Sequence, residues 1–320
     1  MKEIYEEFIS PVFVMETIKK IVRNRRNRRG CSYPGGIKMS RFILSGFADE
    51  MYDEIEKQAE GFNEIGFSNI ELRFIDGKNI ADLDDAEVEA VKAVLDAHNI
   101  KVSAIGSPLG KITMDDDWAA HLKKAKRVFK TANMFGTKFI RMFSFYPAGD
   151  KFRDGDYEII LERLSEMLDL ADEYGVVLCH ENEYRVWGES PEACLQLLEH
   201  FGGRMKCVLD MGNYVLEHYD PVKAYEMTKD YIAYFHIKDG MQNGAIVPTG
   251  LGEAKIKEIL AAHKSEVVVS LEPHLCDFTG LSSIAGGNEL DQSASSGYSD
   301  NADAYRDAAR RLCQIIAEID

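Results

Sequence analysis

From Arg41 onward the chain repeats one pattern: a short run of β-branched, aromatic and other apolar residues, then a longer segment whose apolar positions recur every three or four residues. The short runs suit buried parallel strands and the longer segments suit amphipathic helices; their alternation is what parallel strands joined by crossover helices require. Eight strand candidates emerge: Phe42 to Phe47, Asn69 to Phe74, Lys101 to Gly106, Lys138 to Phe145, Val176 to Glu181, Met205 to Asp210, Ile232 to Ile237 and Glu266 to Glu272. Their starts lie 27 to 38 residues apart.

Between them, Ala86 to His98 carries Val88, Val91, Val94 and Leu95 on one helical face, and Tyr157 to Tyr174 carries Ile160, Leu161, Leu164, Met167, Leu168 and Ala171. Ser190 and Pro191 form an N-cap and first-turn pair ahead of Glu192 to Phe201. A doubly wound sheet uses the same units, but eight comparable repeats without a long linker favour closure. The expected fold is α/β, a single (β/α)₈ TIM barrel over residues 39–320. One connection breaks the regularity: Thr279 to Asn301, rich in Ser, Gly, Asn and Asp, precedes a final helix from Ala302 to Ile319. Following a barrel strand, it belongs on the catalytic face, where a lid and a plain disordered connection are both open readings.

Charge separates the ends. Residues 1–38 hold nine Lys/Arg against four Asp/Glu, with a basic run from Lys19 to Arg29, while the whole chain carries −16, leaving −21 for the remainder. Lacking a strand of the eightfold pattern, residues 1–38 are expected to be a poorly ordered N-terminal extension. The acidic remainder disfavours nucleic acid as a partner. The longest apolar stretch, Phe8 to Met15, ends at Glu16, too short for a span and with the wrong charge order for a signal peptide. The six cysteines form no CxxC pair. A cytoplasmic protein without a membrane partner is expected, acting on a small molecule; a homo-oligomer is left open.

The strand ends carry the chemistry. The fifth candidate strand ends in His180-Glu181-Asn182-Glu183, the sixth in Asp210, the seventh in His236 followed by Lys238 and Asp239, and the eighth in Glu272-Pro273-His274. Barrel active sites are built at that end. Any one of these residues has an ordinary explanation as a helix cap, a solvated loop residue or a structural histidine. Together, buried carboxylates from adjacent strands would repel one another and raise their own pKa values, a conflict that a divalent cation removes. Three carboxylates and an imidazole suit Mn²⁺ first, and also Mg²⁺, Co²⁺ or Zn²⁺. Earlier strands add Arg73, Lys111 in GSPLGK, and Arg141, which either grip substrate or pair with acids inside the barrel. Gly250 and Gly252 would let backbone approach a ligand.

The segments LCHENE (Leu178 to Glu183), VLDMGN (Val208 to Asn213), YFHIKDG (Tyr234 to Gly240), VPTGLGE (Val247 to Glu253) and SLEPH (Ser270 to His274) resemble the sugar phosphate isomerase/epimerase family with the xylose isomerase-like barrel. The resemblance runs from about Phe42 to the C-terminus. It implies a ligand set of Glu181, Asp210, His236 and Glu272, with Glu181 and Glu272 doubling as the catalytic acid/base pair. Glu183, which strand alternation places on the same side, competes with Glu181; the family's Leu-x-x-Glu-Asn run favours Glu181. Many relatives carry His where this chain has Asn213, a departure that bears on the substrate more than on the metal. Glu183, Asn213, Lys238 and His274 join Arg73, Lys111 and Arg141 as expected substrate-binding residues. The implied activity is a metal-dependent isomerase or epimerase acting on a sugar or sugar phosphate by proton abstraction through an enediolate. The alternatives are a dehydratase of an inosose-like substrate, a sugar-binding barrel without turnover, and a nuclease, the last disfavoured by the charge.

Overall fold

The computed structural model describes residues 41–280 and 297–319. The expected N-terminal extension and most of the connection from Thr279 to Asn301 lie outside the described residues. The rest alternates strand and helix: β1 (Phe42–Gly46), α1 (Ile55–Ile65), β2 (Asn69–Leu72), the two-residue strands β3 (Phe74–Ile75) and β4 (Lys78–Asn79), α2 (Asp85–Ala97), β5 (Lys101–Ile105), α3 (Trp118–Phe135), β6 (Phe139–Met142) and α4 (Asp156–Tyr174). The second half continues with β7 (Val177–Glu181), α5 (Pro191–His200), β8 (Lys206–Asp210), α6 (Met211–Leu216), α7 (Pro221–Thr228), β9 (Ile232–Ile237), α8 (Ile256–Ala262), β10 (Val267–Leu271) and α9 (Asn301–Ile319).

Eight strands run parallel in the order β1-β10-β9-β8-β7-β6-β5-β2, a nearly closed TIM barrel. At the seam β1 and β2 lie side by side, and the Asn69 side-chain amide donates to the Leu44 carbonyl at 3.1 Å, so a side chain bridges where the ladder is missing. Helix α9 closes the outside: the Tyr305 hydroxyl donates to the Leu271 carbonyl at 3.1 Å. A Cβ on Gly46 would lie 2.1 Å from that hydroxyl, so glycine is required there.

The predicted apolar stripes face the sheet: Val88, Val91 and Leu95 of α2, and Ile160, Leu164, Met167, Leu168 and Ala171 of α4, are buried. Local signals start and stop these helices. Asp84 and Glu87 close a capping box on α2, and Ser190 caps α5 with Pro191 in its first turn. Gly136 and Gly175 end α3 and α4 in the left-handed conformation that glycine adopts without penalty.

Two strands stop short of their predicted ends. Asp76 and Gly77, both at positive φ, turn β3 back on β4 immediately after Arg73, the twist that a two-residue hairpin demands. After β6, Phe143 and Tyr146 donate their backbone N–H to Leu109 and Ile112, both at 2.8 Å, so the chain leaves the barrel ladder to pair with the loop after β5.

That loop is anchored from below. The Gly110 N–H donates to His121 Nε2 at 3.0 Å, which requires a neutral ring, and burial followed by the nearby Lys124 and Arg163 pushes the His121 pKa down to about 4. An unfolded chain therefore binds a proton at His121 between about pH 6.5 and 4 that the native chain does not, so this residue removes stability as pH falls through that window. Replacing His121 by Gln should flatten the dependence of the melting temperature on pH between about 6.5 and 4 relative to wild type, as followed by circular dichroism; an unchanged slope would exclude His121 as a contributor.

Candidate metal centre

The register of the last four strands brings their C-terminal ends level. Asp210 lies opposite His236 on β9, Ser270 of β10 lies on the other side of His236, and the Glu272 N–H donates to the Ile237 carbonyl at 3.1 Å. Alternation along β9 points Tyr234 and His236 into the barrel and Phe235 outward, against Tyr225 and His263. Glu181, Asp210, His236 and Glu272 are all buried, and each offers one donor atom within 4.8 Å of all the others.

His236 Nδ1 lies 2.8 Å from Glu181 Oε1 and 3.1 Å from Glu272 Oε2. Asp210 is held through its backbone, because the Asn182 side chain both accepts from its N–H at 3.0 Å and donates to its carbonyl at 2.9 Å. Its Oδ1 caps α6 by accepting from the Asn213 N–H at 2.8 Å, which fixes the carboxylate and turns Oδ2 toward Lys238 Nζ, 3.1 Å away. Burial, opposed by Lys238 but reinforced by Glu181 and Glu272, pushes Asp210 up to about 6. Burial acts on Glu272 in the same sense, but Lys238 and His236 outweigh it and hold that carboxyl well below its ordinary value. Lys238 is the leading cation for both acids; Glu272 differs in having His236 Nδ1 against it at 3.1 Å. Burial opposes protonation of His236, yet Glu181, Glu71 and Glu272 together hold its pKa well above the usual value.

One buried oxygen of each acid, Glu181 Oε2, Asp210 Oδ2 and Glu272 Oε2, accepts no hydrogen bond from any described residue. Arg141, Lys238 and His236 offset their charge from 3.3, 3.1 and 3.1 Å, but buried carboxylate oxygens without a bonded partner remain costly. The donor set and its convergence fit one divalent ion.

A family model described as a xylose isomerase-like TIM barrel matches residues 61–315. The chain belongs to that family. No curated protein matches the sequence. Among solved structures of similar fold is a D-psicose 3-epimerase with D-tagatose from Clostridium cellulolyticum H10, 18% identical, covering 86% of this chain and 99% of that one with a TM-score of 0.65. A probable 3-DHS dehydratase, AsbF, from Bacillus anthracis is 20% identical over 72% of this chain and 92% of that one, with a TM-score of 0.60. A xylose isomerase-like TIM barrel protein from Mycobacterium smegmatis in complex with magnesium is 17% identical over 82% and 88%, with a TM-score of 0.62.

In this xylose isomerase-like barrel the other predicted residues ring the cluster in distinct ways. Arg73 grips Asp49 through two nitrogens at 2.8 and 3.2 Å, reaches Glu50 at 3.1 Å and Glu272 Oε1 at 2.7 Å, and lies over the Phe47 ring at 4.1 Å. Its donors are taken by acids of the barrel. Arg141 spans the two glutamates, with Nη1 3.3 Å from Glu181 Oε2 and 3.8 Å from Glu272 Oε1. Lys111 pairs with Glu183 at 2.8 Å, one step above the cluster, so Glu183 stands apart from the four converging donors. The Asn213 amide donates to the Asn182 carbonyl at 2.8 Å. His274, at φ 49°, places Nε2 3.3 Å from Glu272 Oε1 and 3.4 Å from Glu50 Oε1, while its backbone N–H donates to Glu50 Oε2 at 2.7 Å. The Gly250 and Gly252 amides, read from sequence as open to a ligand, instead donate to Asp239 Oδ2 at 2.8 and 2.9 Å. A Cβ on Gly252 would lie 2.2 Å from Asp239 Oδ1.

Sequence reasoning missed Glu71, Asp49, Glu50 and Asn182. Glu71 had a signal: it stands two residues before Arg73 on β2, so alternation sends both side chains to the same face. Asp49 and Glu50 follow β1 in a short helical turn that in sequence resembles any solvated acidic turn. Truncating Arg73 would leave Asp49, Glu50 and Glu272 buried beside one another without their shared cation. Arg73→Ala should lower stability by about 3–5 kcal/mol in urea denaturation; a loss under about 1 kcal/mol would show that the ion pairs are incidental.

Proposed function

We propose that this barrel is a divalent-metal-dependent epimerase or aldose–ketose isomerase acting on a sugar, with Glu181 and Glu272 as the proton-transfer pair. The observation that carries the reading is the pair itself: two buried carboxylates from strands β7 and β10, each within about 3 Å of the same His236 nitrogen, so that one can take a proton from carbon and the other return it. The epimerase among proteins of similar fold supports it. Glu181, Asp210, His236 and Glu272 would hold the ion, Mn²⁺ first among candidates that include Mg²⁺, Co²⁺ and Zn²⁺. When bound, it supplies a Lewis acid for the substrate carbonyl and its neighbouring hydroxyl.

The chain's own groups do the rest. Arg141 stands between the two glutamates, 3.3 Å from Glu181 Oε2 and 3.8 Å from Glu272 Oε1, and offsets part of their shared negative charge. Arg73 fixes Glu272 from behind through Oε1, leaving Oε2 to face the cluster. Lys238 and His274 stand where charge develops on substrate oxygen, and the Lys111–Glu183 pair lines the approach and suits hydroxyl recognition. Among the described residues no helix is long and apolar enough to cross a membrane. A second reading, loss of water after the same proton abstraction, is favoured by the dehydratase among the similar structures.

A panel of ketoses, aldoses and their phosphates incubated in D₂O with the Mn²⁺-loaded protein separates these readings by NMR. Deuterium at the carbon beside the carbonyl, with an epimer or isomer as product, supports the first; a dehydrated product supports the second; no exchange into any sugar that binds contradicts both. Glu272→Gln keeps size but removes the proton acceptor, so turnover should fall by about a hundredfold or more.

A further inference from the structure

Below the cluster sits a carboxylate with no part in the proton transfer just described. Glu71, in the middle of β2, is buried, and three polar groups close on its oxygens: the Tyr234 hydroxyl donates to Oε1 at 2.9 Å, the Ser270 hydroxyl donates to Oε2 at 2.6 Å, and His236 Nε2 lies 3.1 Å from Oε2. The three partners all face the barrel interior, since Tyr234 and His236 stand two residues apart on β9 and Ser270 is in register with His236. An ionised carboxylate only accepts, so Nε2, facing Glu71, must carry a proton; the proton that Nδ1 shares with Glu181 and Glu272 is the one a bound cation would displace.

We propose that Glu71 is a positioning residue that fixes His236 as the Nε2–H tautomer, so that the lone pair of Nδ1 is turned to the cation held by Glu181, Asp210 and Glu272. This rests on reading those four residues as a metal site. The two hydroxyl donors stop Glu71 from rotating, and Glu71 in turn stops the imidazole from flipping, so ring orientation is set by strand register. Outer carboxylates of this kind raise ligand basicity and typically govern metal affinity by 10–100-fold.

The experiment is a Mn²⁺ titration of wild type, Glu71→Gln and Tyr234→Phe, followed by electron paramagnetic resonance, with ¹⁵N NMR of the His236 ring in the Zn²⁺-loaded proteins. A glutamine cannot accept from all three donors, because one of its two heteroatoms is itself a donor. Glu71→Gln should weaken Mn²⁺ binding by about 10–100-fold, and the His236 resonances should lose the pure Nε2–H signature. Tyr234→Phe keeps the carboxylate and frees only Oε1, so a smaller loss of about fivefold is expected, and this variant carries the test if Glu71→Gln does not fold. Affinity within twofold of wild type in both variants, with the ring tautomer unchanged, would overturn the assignment of Glu71 while leaving the metal site standing. Absence of Mn²⁺ binding by wild type would instead sink the metal site, and this inference with it.

Discussion

The barrel mouth is governed by the burial of negative charge. Glu181, Asp210 and Glu272 converge on one point, and Glu71, Asp49 and Glu50 lie buried around them. Carboxylates so placed must protonate, find cations or expel one another. The fold answers with Arg73 against Asp49, Glu50 and Glu272, Arg141 between the two glutamates, and Lys238 against Asp210. Arg73 meets Glu272 through Oε1, Arg141 and Lys238 approach Glu181 Oε2 and Asp210 Oδ2 without completing a hydrogen bond, and among the described residues the buried carboxylate oxygens left without one are Glu181 Oε2, Asp210 Oδ2 and Glu272 Oε2.

Backbone geometry makes this arrangement rigid. Asn182 ties the end of β7 to the end of β8 through both hydrogen-bonding groups of Asp210, and Asp210 starts α6, so neither carboxylate can drift without breaking a ladder or a cap. The outer loops are held by the same device of one buried polar side chain gathering backbone amides. Asp239 accepts from Gly240, Gly250, Gly252 and Ala254, and His121 accepts from Gly110. Loops fixed in this way let a site built on strand ends keep its spacing while the helices outside pack as ordinary apolar stripes.

Most of the fold was legible because its signals are local. Six of the eight barrel strands lie within one residue of their predicted bounds at each end, since an apolar run closed by a charged or turn residue marks both its length and its end. The two that overran, after Leu72 and after Met142, stop because of contacts that no short window contains: a two-residue hairpin, and a pairing with the loop after β5. In the site, strand-end residues stood out because each interrupts an apolar run at the same end of its unit. Glu71 was passed over because a lone acid inside a strand reads as its solvent face, and in a barrel the face hidden from the helices is the interior. Whether Arg73 met substrate or other acids could not be read at all, because its partners Asp49 and Glu272 lie 24 and 199 residues away.

The claim at the centre of this account is that one divalent ion belongs among Glu181, Asp210, His236 and Glu272. It is tested most directly by a Mn²⁺ anomalous difference map from crystals of the protein grown with that ion. The account predicts a single strong peak about 2.0–2.3 Å from a carboxylate oxygen of each acid and from Nδ1 of His236. A map with no peak there at saturating Mn²⁺, or with its strong peak elsewhere on the molecule, would contradict it.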